Sequence, residues 1–112
     1  MELRITARHF ELVEPLKEFA HNKITLLRRY SNNLAEAHLI LSPEGVGYKA
    51  ELTVSGKRAN FFAHATADTI NTAIEDVTHK IERQLKEKKS RLKRIHKQSR
   101  RKYMPPELGA EL

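Results

Sequence analysis

The sequence contains no cysteine and no tryptophan among its 112 residues. Without cysteine the chain has no disulfide, no thiolate nucleophile and no cysteine-ligated zinc site. No apolar run approaches the ~18–20 residues of a membrane span, and residues 1–5 alternate polar and apolar side chains, unlike a signal or transit peptide. We therefore expect a cytoplasmic protein that does not bind a membrane and has one modest hydrophobic core.

Motifs for catalysis and metal binding are missing as well. The sequence has no GxGxxG, P-loop, HExxH or GxSxG, and its histidines lack the helical spacing of a metal-ligand pair. Glu75 and Asp76 are adjacent on a predicted helix, so their side chains point about 100° apart and form no preset acid/base pair. We expect no enzyme activity, no cofactor, no metal site and no small-molecule substrate.

Hydrophobic periodicity predicts the elements of one domain. Helical spacing of apolar residues indicates a first helix from about Pro15 to Tyr30, which the serine and asparagines at 31–33 end. Turn signals at 42–45 and 55–58 separate the later strands. Alternation with a period of two predicts four half-buried strands, at residues 2–7, 36–41, 48–54 and 60–66.

A continuous apolar stripe predicts a long second helix. Thr66 or Asp68 is the expected N-cap, and no glycine or proline follows until Pro105, so the helix should reach at least Lys88 and up to Lys97. The stripe consists of Ile70, Ala73, Ile74, Val77, Ile81 and Leu85, and continues with Leu92 and Ile95.

The element order predicts the fold class. We expect an α+β fold of order β-α-β-β-β-α, with a four-stranded mixed sheet and two helices packed on one face, because this arrangement buries every apolar stripe at once. The crossover through the first helix should make the first two strands parallel.

Charge is distributed unevenly along the chain. Residues 1–85 carry eleven basic and eleven acidic side chains, residues 86–102 carry ten basic and one acidic, and residues 103–112 add two acidic. Such a basic block favours a polyanion, through release of condensed counterions. On charge alone an anionic membrane surface competes with nucleic acid, and nucleic acid is the partner that we expect.

Basic helical residues are therefore the candidate contacts. If the two helices lie side by side, their cations form one basic surface with a groove between them. The first helix offers Lys23, Arg28 and Arg29, and the second offers Lys80, Arg83, Lys86, Lys93 and Arg94.

The aromatic residues bear on how nucleic acid would be bound. Six of them lie in or beside predicted core elements, and we expect them in the core. That expectation argues against a sheet that stacks single-stranded bases and favours recognition of phosphates and RNA shape. Tyr103 is the one candidate for an exposed stacking ring. The six are Phe10, Phe19, Tyr30, Tyr48, Phe61 and Phe62.

These features together resemble the ribosome hibernation promoting factor family, also called ribosome-associated inhibitor or sigma-54 modulation proteins. The resemblance runs from Met1 to about Lys89. The segment 80–86, KIERQLK, is similar to the family's K-L-E-R-Q-L-x-K signature, with Ile81 in place of leucine. The other matching segments are LRITARH at 3–9, KITLLRRY at 23–30, ATAD at 65–68 and AIED at 73–76.

The resemblance implies a fold like that of double-stranded RNA-binding domains. It also implies binding in the neck of the small ribosomal subunit, where messenger and transfer RNA would otherwise sit, and inhibition of translation during stress or stationary phase. The partners are then the subunit and its rRNA, with the protein a monomer off the ribosome. The family's basic positions correspond to Lys23, Arg28, Lys80, Arg83, Lys86 and Lys89.

The chain departs from the longer members of that family. It is too short for their second, dimerising domain, so we expect a short form with a ribosome-binding domain at 1–98 and a flexible tail at 99–112. Its basic tail leaves open whether it promotes or opposes ribosome pairing. Two alternatives also stay open: a protein-interaction module that modulates a sigma factor, and a general duplex-RNA binder.

Overall fold

The computed structural model describes residues 1–31, 33–57 and 59–101, and for residues 89–101 it describes the helical backbone. The sheet order is β1-β2-β3-β4, in which β1 runs parallel to β2 and the other pairs are antiparallel. The predicted α+β class and element order are confirmed. The elements are β1 (Glu2–Ala7), α1 (Glu14–Thr25), a 3-10 helix (Leu26–Tyr30), β2 (Leu34–Glu44), β3 (Gly47–Gly56), β4 (Asn60–Ala67) and α2 (Ile70–Arg101).

One face of the sheet packs against the helices and forms one side of the core. Ile5, Leu39, Leu52 and Ala63 lie opposite one another across the four strands, and the last three are buried. Alanines on β3, β4 and α2 let this helix lie close to the sheet. The helices cover this face with Ala20, Ile24, Leu27, Ala73, Ile74, Val77, Ile81 and Leu85.

The first helical segment has the predicted extent but not a single geometry. Pro15 lies in the first turn of α1, where its missing N–H costs no hydrogen bond. The segment tightens into a 3-10 helix at Leu26. Residues three apart eclipse in that geometry, so Leu27 and Tyr30 both pack toward the core while Arg28 and Arg29 stay exposed.

The turn predicted at 42–45 is wrong in position. Strand β2 continues through Pro43 to Glu44, which pairs with Gly47, and the turn is Gly45–Val46. Pro43 is tolerated because β1 pairs with β2 only as far as Leu41, so beyond that point one edge of β2 needs no N–H donor from the ladder.

The start of α2 also differs from the prediction. Thr66 is still in the β4 ladder, opposite Lys49, so it cannot cap a helix that begins at Ile70. Instead the Thr69 hydroxyl accepts a hydrogen bond of 3.2 Å from the Thr72 N–H, which is the N-cap arrangement. Neither Thr66 nor Asp68 is therefore the cap.

The far end of α2 runs beyond the predicted limit of Lys97, to Arg101. Leu85 is its last buried residue among those whose side chains are described. The helical backbone of residues 86–101 extends about 24 Å beyond Leu85. None of the helices that the structure describes is long and apolar enough to cross a membrane.

Gly47 is expected to be essential to the β2–β3 turn. A Cβ at this position would lie 2.3 Å from the Ala67 carbonyl oxygen, a backbone atom that cannot move aside freely. Gly47→Ala should lower the free energy of unfolding by about 1–3 kcal/mol, measured by urea denaturation. Gly45→Asn is the matched control, since Gly45 has open space around it and a φ of +59° that asparagine tolerates. Equal stability of the two variants would contradict the steric account.

Candidate nucleic-acid interface

The predicted basic residues whose side chains the structure describes lie on the helices that cover one side of the sheet. Arg83 and Lys86 are exposed on α2, and Arg28 and Arg29 are exposed on the 3-10 helix. Lys23 is half-buried on α1. The helices therefore bring cations from two separate parts of the chain onto one layer. Lys93 and Arg94, like Lys89, lie outside the residues whose side chains the structure describes.

A groove separates α1 and the 3-10 helix from α2, as the side-by-side arrangement predicts. Two carboxylates, those of Glu75 and Glu82, lie among the basic residues that line it. This groove is therefore of mixed charge, and its cations are partly neutralised from within. Its lining is Lys23, Leu26, Leu27, Arg29, Tyr30, Glu75, Thr78, His79 and Glu82.

Tyr30 and Glu82 join the two sides of the groove. The Tyr30 hydroxyl donates a hydrogen bond of 2.8 Å to Glu82 Oε2, and Lys86 Nζ lies 3.1 Å from the same oxygen. Lys86 Nζ also lies 5.4 Å from the centroid of the Tyr30 ring, and the Arg29 guanidinium lies 5.7 Å from it. These contacts join the end of the first helical segment to α2.

The hydrogen bond from Tyr30 lowers the pKa of the Glu82 carboxyl below its usual value, and the bond and positive charge of Lys86 lower that pKa further. Partial burial acts in the opposite direction, but it does not outweigh these bonds. Glu82 therefore stays ionised at neutral pH and keeps its acceptor role.

Lys23 is paired across the same groove. Its Nζ lies 3.3 Å from Glu75 Oε2 and 5.6 Å from the centroid of the Phe19 ring. Among the described residues the ion pairs use Lys23, Lys49 and Lys86. The guanidinium groups of Arg28, Arg29 and Arg83 are in none of these ion pairs, although that of Arg29 lies over the Tyr30 ring.

Lys80 points toward the edge of the sheet. Its Nζ donates a hydrogen bond of 2.8 Å to the His64 carbonyl, and one turn later Gln84 Nε2 donates one of 2.9 Å to the Phe62 carbonyl. These bonds satisfy acceptors on the outer edge of β4, which has no strand beyond it. Lys80 therefore has a structural role that periodicity did not reveal. A shallow trough beside it is lined by Ala65, Thr66, Asp76, His79, Lys80 and Arg83.

The prediction that all six aromatic residues lie in the core is wrong for Phe62. Its side chain is 53% exposed on the sheet face opposite the helices. Phe61 instead packs against the core. The alternation along β4 could have indicated this exposure. It places the side chains of Phe62 and His64 on one face of the strand and those of Phe61, Ala63 and Ala65 on the other. Tyr103 lies outside the described residues.

No three His, Cys, Asp or Glu side chains within the described part of the chain are grouped so that they could hold a metal ion. The arrangement instead offers hydrogen-bond donors and positive charge on one layer. Such a surface can bind a polyanion by phosphate contacts.

The chain matches a known protein family over most of its length. The model of the family described as sigma 54 modulation protein / S30EA ribosomal protein matches residues 3–93. The chain belongs to this family. The match includes both helical sides of the groove.

Curated relatives share the family's sequence over most of their length. The chain is 29% identical over 93 residues to the ribosome hibernation promoting factor of Escherichia coli K12, covering 83% of this chain and 98% of the relative. It is 28% identical over 85 residues to the ribosome-associated factor Y of Haemophilus influenzae, covering 76% of this chain and 79% of that protein.

Solved structures share the fold. The Protein Y N-terminal domain of Thermus thermophilus superposes with a TM-score of 0.73 at 22% identity, covering 78% of this chain and 98% of the domain. A ribosomal subunit interface protein from Coxiella burnetii superposes with a TM-score of 0.75 at 19% identity, covering 80% and 99% of the two chains. The fold is thus shared although the sequence identity is low.

The Tyr30–Glu82 hydrogen bond predicts a pH-dependent contribution to stability. Because the pKa of Glu82 is lowered in the folded state, the contribution is present in full above the ordinary carboxyl pKa and is lost as pH falls through the lowered value. Tyr30→Phe should lower the free energy of unfolding by about 1 kcal/mol at pH 7, and the difference from wild type should shrink in acid.

Urea denaturation at neutral and acidic pH measures this difference. Tyr48→Phe is the matched control, since the Tyr48 ring packs edge-on against Phe10 on a different side of the molecule. If the loss in free energy of unfolding caused by Tyr30→Phe stayed constant down to low pH, ionisation of Glu82 would not be involved.

Proposed function

We propose that this protein is a ribosome-binding translation inhibitor that acts during stress or stationary phase. Its helical layer binds the rRNA of the small subunit and occupies the channel of messenger and transfer RNA. The proposal rests on family membership together with the exposed Arg28 and Arg83 on that layer, which enter none of the described ion pairs. The names of the relatives, hibernation promoting factor and ribosome-associated factor Y, support a ribosomal partner.

The proposed mechanism is steric. The body docks by phosphate and shape contacts, and no bond is made or broken. Docking needs no cofactor, and the protein acts in the cytoplasm as a monomer off the ribosome. Residues 1–98 form the ribosome-binding unit, and residues 99–112 form a tail. The proposed rRNA contacts are Lys23, Arg28, Arg29, Lys80, Arg83, Lys86, Lys89, Lys93 and Arg94.

The contacts of these residues divide them into two groups. Lys23, Lys80 and Lys86 also hold the fold together, through Glu75, the His64 carbonyl and Glu82. Substituting them changes stability and binding at once. Arg28 and Arg83 are therefore the cleaner probes of rRNA contact, whereas Arg29 also lies over the Tyr30 ring.

Arg83→Glu should weaken binding to small subunits and leave the fold intact. Loss of one phosphate contact should reduce the slope of log affinity against log salt concentration by about 1. Co-sedimentation with purified small subunits over a salt series measures both quantities. Lys57→Glu is the control, because it makes the same change of charge at an exposed residue in the β3–β4 turn. If both variants bound alike, Arg83 would not be a contact.

The protein-interaction alternative is tested in cell extract. Binding to small subunits that is lost at high salt supports the ribosomal proposal. A salt-sensitive complex with another protein that survives ribonuclease treatment, together with no co-sedimentation with subunits at low salt, would favour modulation of a sigma factor. Equal affinity for synthetic duplex RNA and for small subunits would favour a general duplex-RNA binder.

A further inference from the structure

The groove between the first helical segment and α2 contains two carboxylates, those of Glu75 and Glu82. Because carboxylates repel phosphates, they oppose the phosphate contacts proposed for this layer of the molecule. Each of them pairs with a lysine through its Oε2 atom. The Oε1 atoms are in none of the hydrogen bonds or ion pairs among the described residues. Phosphate groups offer no donor to these oxygens, so a ligand that uses them must bring donors of its own.

The Glu82 carboxylate has one engaged oxygen and one open oxygen. Its Oε2 atom accepts the 2.8 Å hydrogen bond from the Tyr30 hydroxyl and lies 3.1 Å from Lys86 Nζ. These contacts lower the pKa of Glu82, so the carboxylate stays charged and is held in place through Oε2. A carboxylate oxygen has about two acceptor positions, and both positions of Oε1 are open within the described part of the chain.

The groove can admit a ligand to this acceptor. The Glu82 side chain is 25% exposed, and the groove is open to solvent with about 420 Å³ of space between its walls. Leu27 is buried in the lining, whereas Leu26 is 48% exposed. Leu26 therefore offers apolar surface beside the charged groups, against which the flat face of a ring can pack.

We infer that this groove binds one unpaired guanine of the rRNA, whose N1–H and N2–H groups donate hydrogen bonds to Glu82 and whose ring packs against Leu26. The inference rests on the proposed function, because it takes rRNA as the partner. It adds recognition of a base to the proposed phosphate contacts. Arg29 lines the same groove and is exposed, so it is available to the phosphate of that nucleotide.

The chemistry of the bases favours guanine. Guanine carries two donors side by side on its Watson–Crick edge, and an ionised carboxylate accepts from both. Cytosine and adenine carry an amino group next to an acceptor nitrogen, and the imino group of uracil lies between two carbonyl groups. Those acceptors would face the carboxylate and be repelled by it. In a duplex this edge is already paired, and proteins read it in unpaired nucleotides.

Glu82→Gln distinguishes base recognition from phosphate binding by the sign of its effect. The amide oxygen can still accept from Tyr30, but one negative charge is removed from the groove. If the groove met only phosphates, affinity for purified small subunits should stay equal or rise. Loss of the guanine contact should instead weaken binding by about 5- to 150-fold, the range for one good base contact.

Two control variants separate charge and packing from base recognition. Glu75→Gln removes the same charge from the same groove, two turns earlier on α2, and should not weaken binding. Tyr30→Phe removes the hydrogen bond that joins the helices but leaves the charge of Glu82, so it measures the effect of a looser helix contact. Glu82→Gln should weaken binding by more than Tyr30→Phe does, and circular dichroism checks that all three variants are folded.

Chemical probing of the rRNA identifies the base. Kethoxal modifies N1 and N2 of unpaired guanines, so the wild-type protein should protect one guanine of the small subunit through this edge. At saturating concentration Glu82→Gln should leave that guanine reactive while it protects the other nucleotides as wild type does. Dimethyl sulfate reports on adenine N1 and cytosine N3 in the same samples.

The outcomes separate this inference from the proposed function. If Glu82→Gln bound as tightly as wild type, if Tyr30→Phe weakened binding equally, or if no guanine changed its reactivity, the inference would be overturned and the proposed function would stand. Protection of an adenine or a cytosine that depends on Glu82 would also overturn it, since guanine would be the wrong base. Failure of the wild-type protein to bind subunits at low salt would overturn both.

Discussion

The burial of one face of the sheet under two helices is the constraint on which the rest of the structure depends. The central strands contribute most of their large apolar side chains to that face, with Leu39 and Leu52 fully buried at its centre. Because the strands alternate, their polar residues are directed to the opposite face. The same packing sets α1 and the 3-10 helix beside α2. The groove of the helical layer and the uncovered, largely polar face of the sheet are therefore two results of one packing arrangement.

The groove also shows how a basic surface is made compatible with a stable fold. Cations placed side by side on two helices would repel one another. Glu75 and Glu82 lie between them and pair with Lys23 and Lys86, and Tyr30 bonds Glu82 from the other side. The lysines thus stabilise the contact between the helices, while Arg28 and Arg83 are exposed and enter none of the described ion pairs. A mixed-charge groove with arginine on its margins can hold its shape and still attract a polyanion.

Side chains of α2 also stabilise the outer edge of β4. An unpaired strand edge tends to recruit further strands, and here α2 fills two of its acceptors with Lys80 and Gln84. The same bonds fix the backbone that carries Phe62 and His64. One helix therefore both protects the edge and contributes to the helical layer.

The amino-acid sequence by itself determined the fold class, the order of the helices and strands and the location of the basic block, because these depend on local periodicity and on residue type. It also determined the family through segments such as 80–86, which the match over residues 3–93 confirms. The 3-10 geometry of Leu26–Tyr30, the Thr69 cap and the extension of β2 through Pro43 were not predicted, since each depends on what lies beside the segment.

Only the tertiary structure decided which polar groups meet. Tyr30 and Glu82 are 52 residues apart and Lys80 is 16 residues from His64, so no local pattern links them. The exposure of Phe62 was likewise decided by which face of the sheet the helices cover. Periodicity divides a strand into two faces, but the chain must fold before one of them becomes the core and the other a surface.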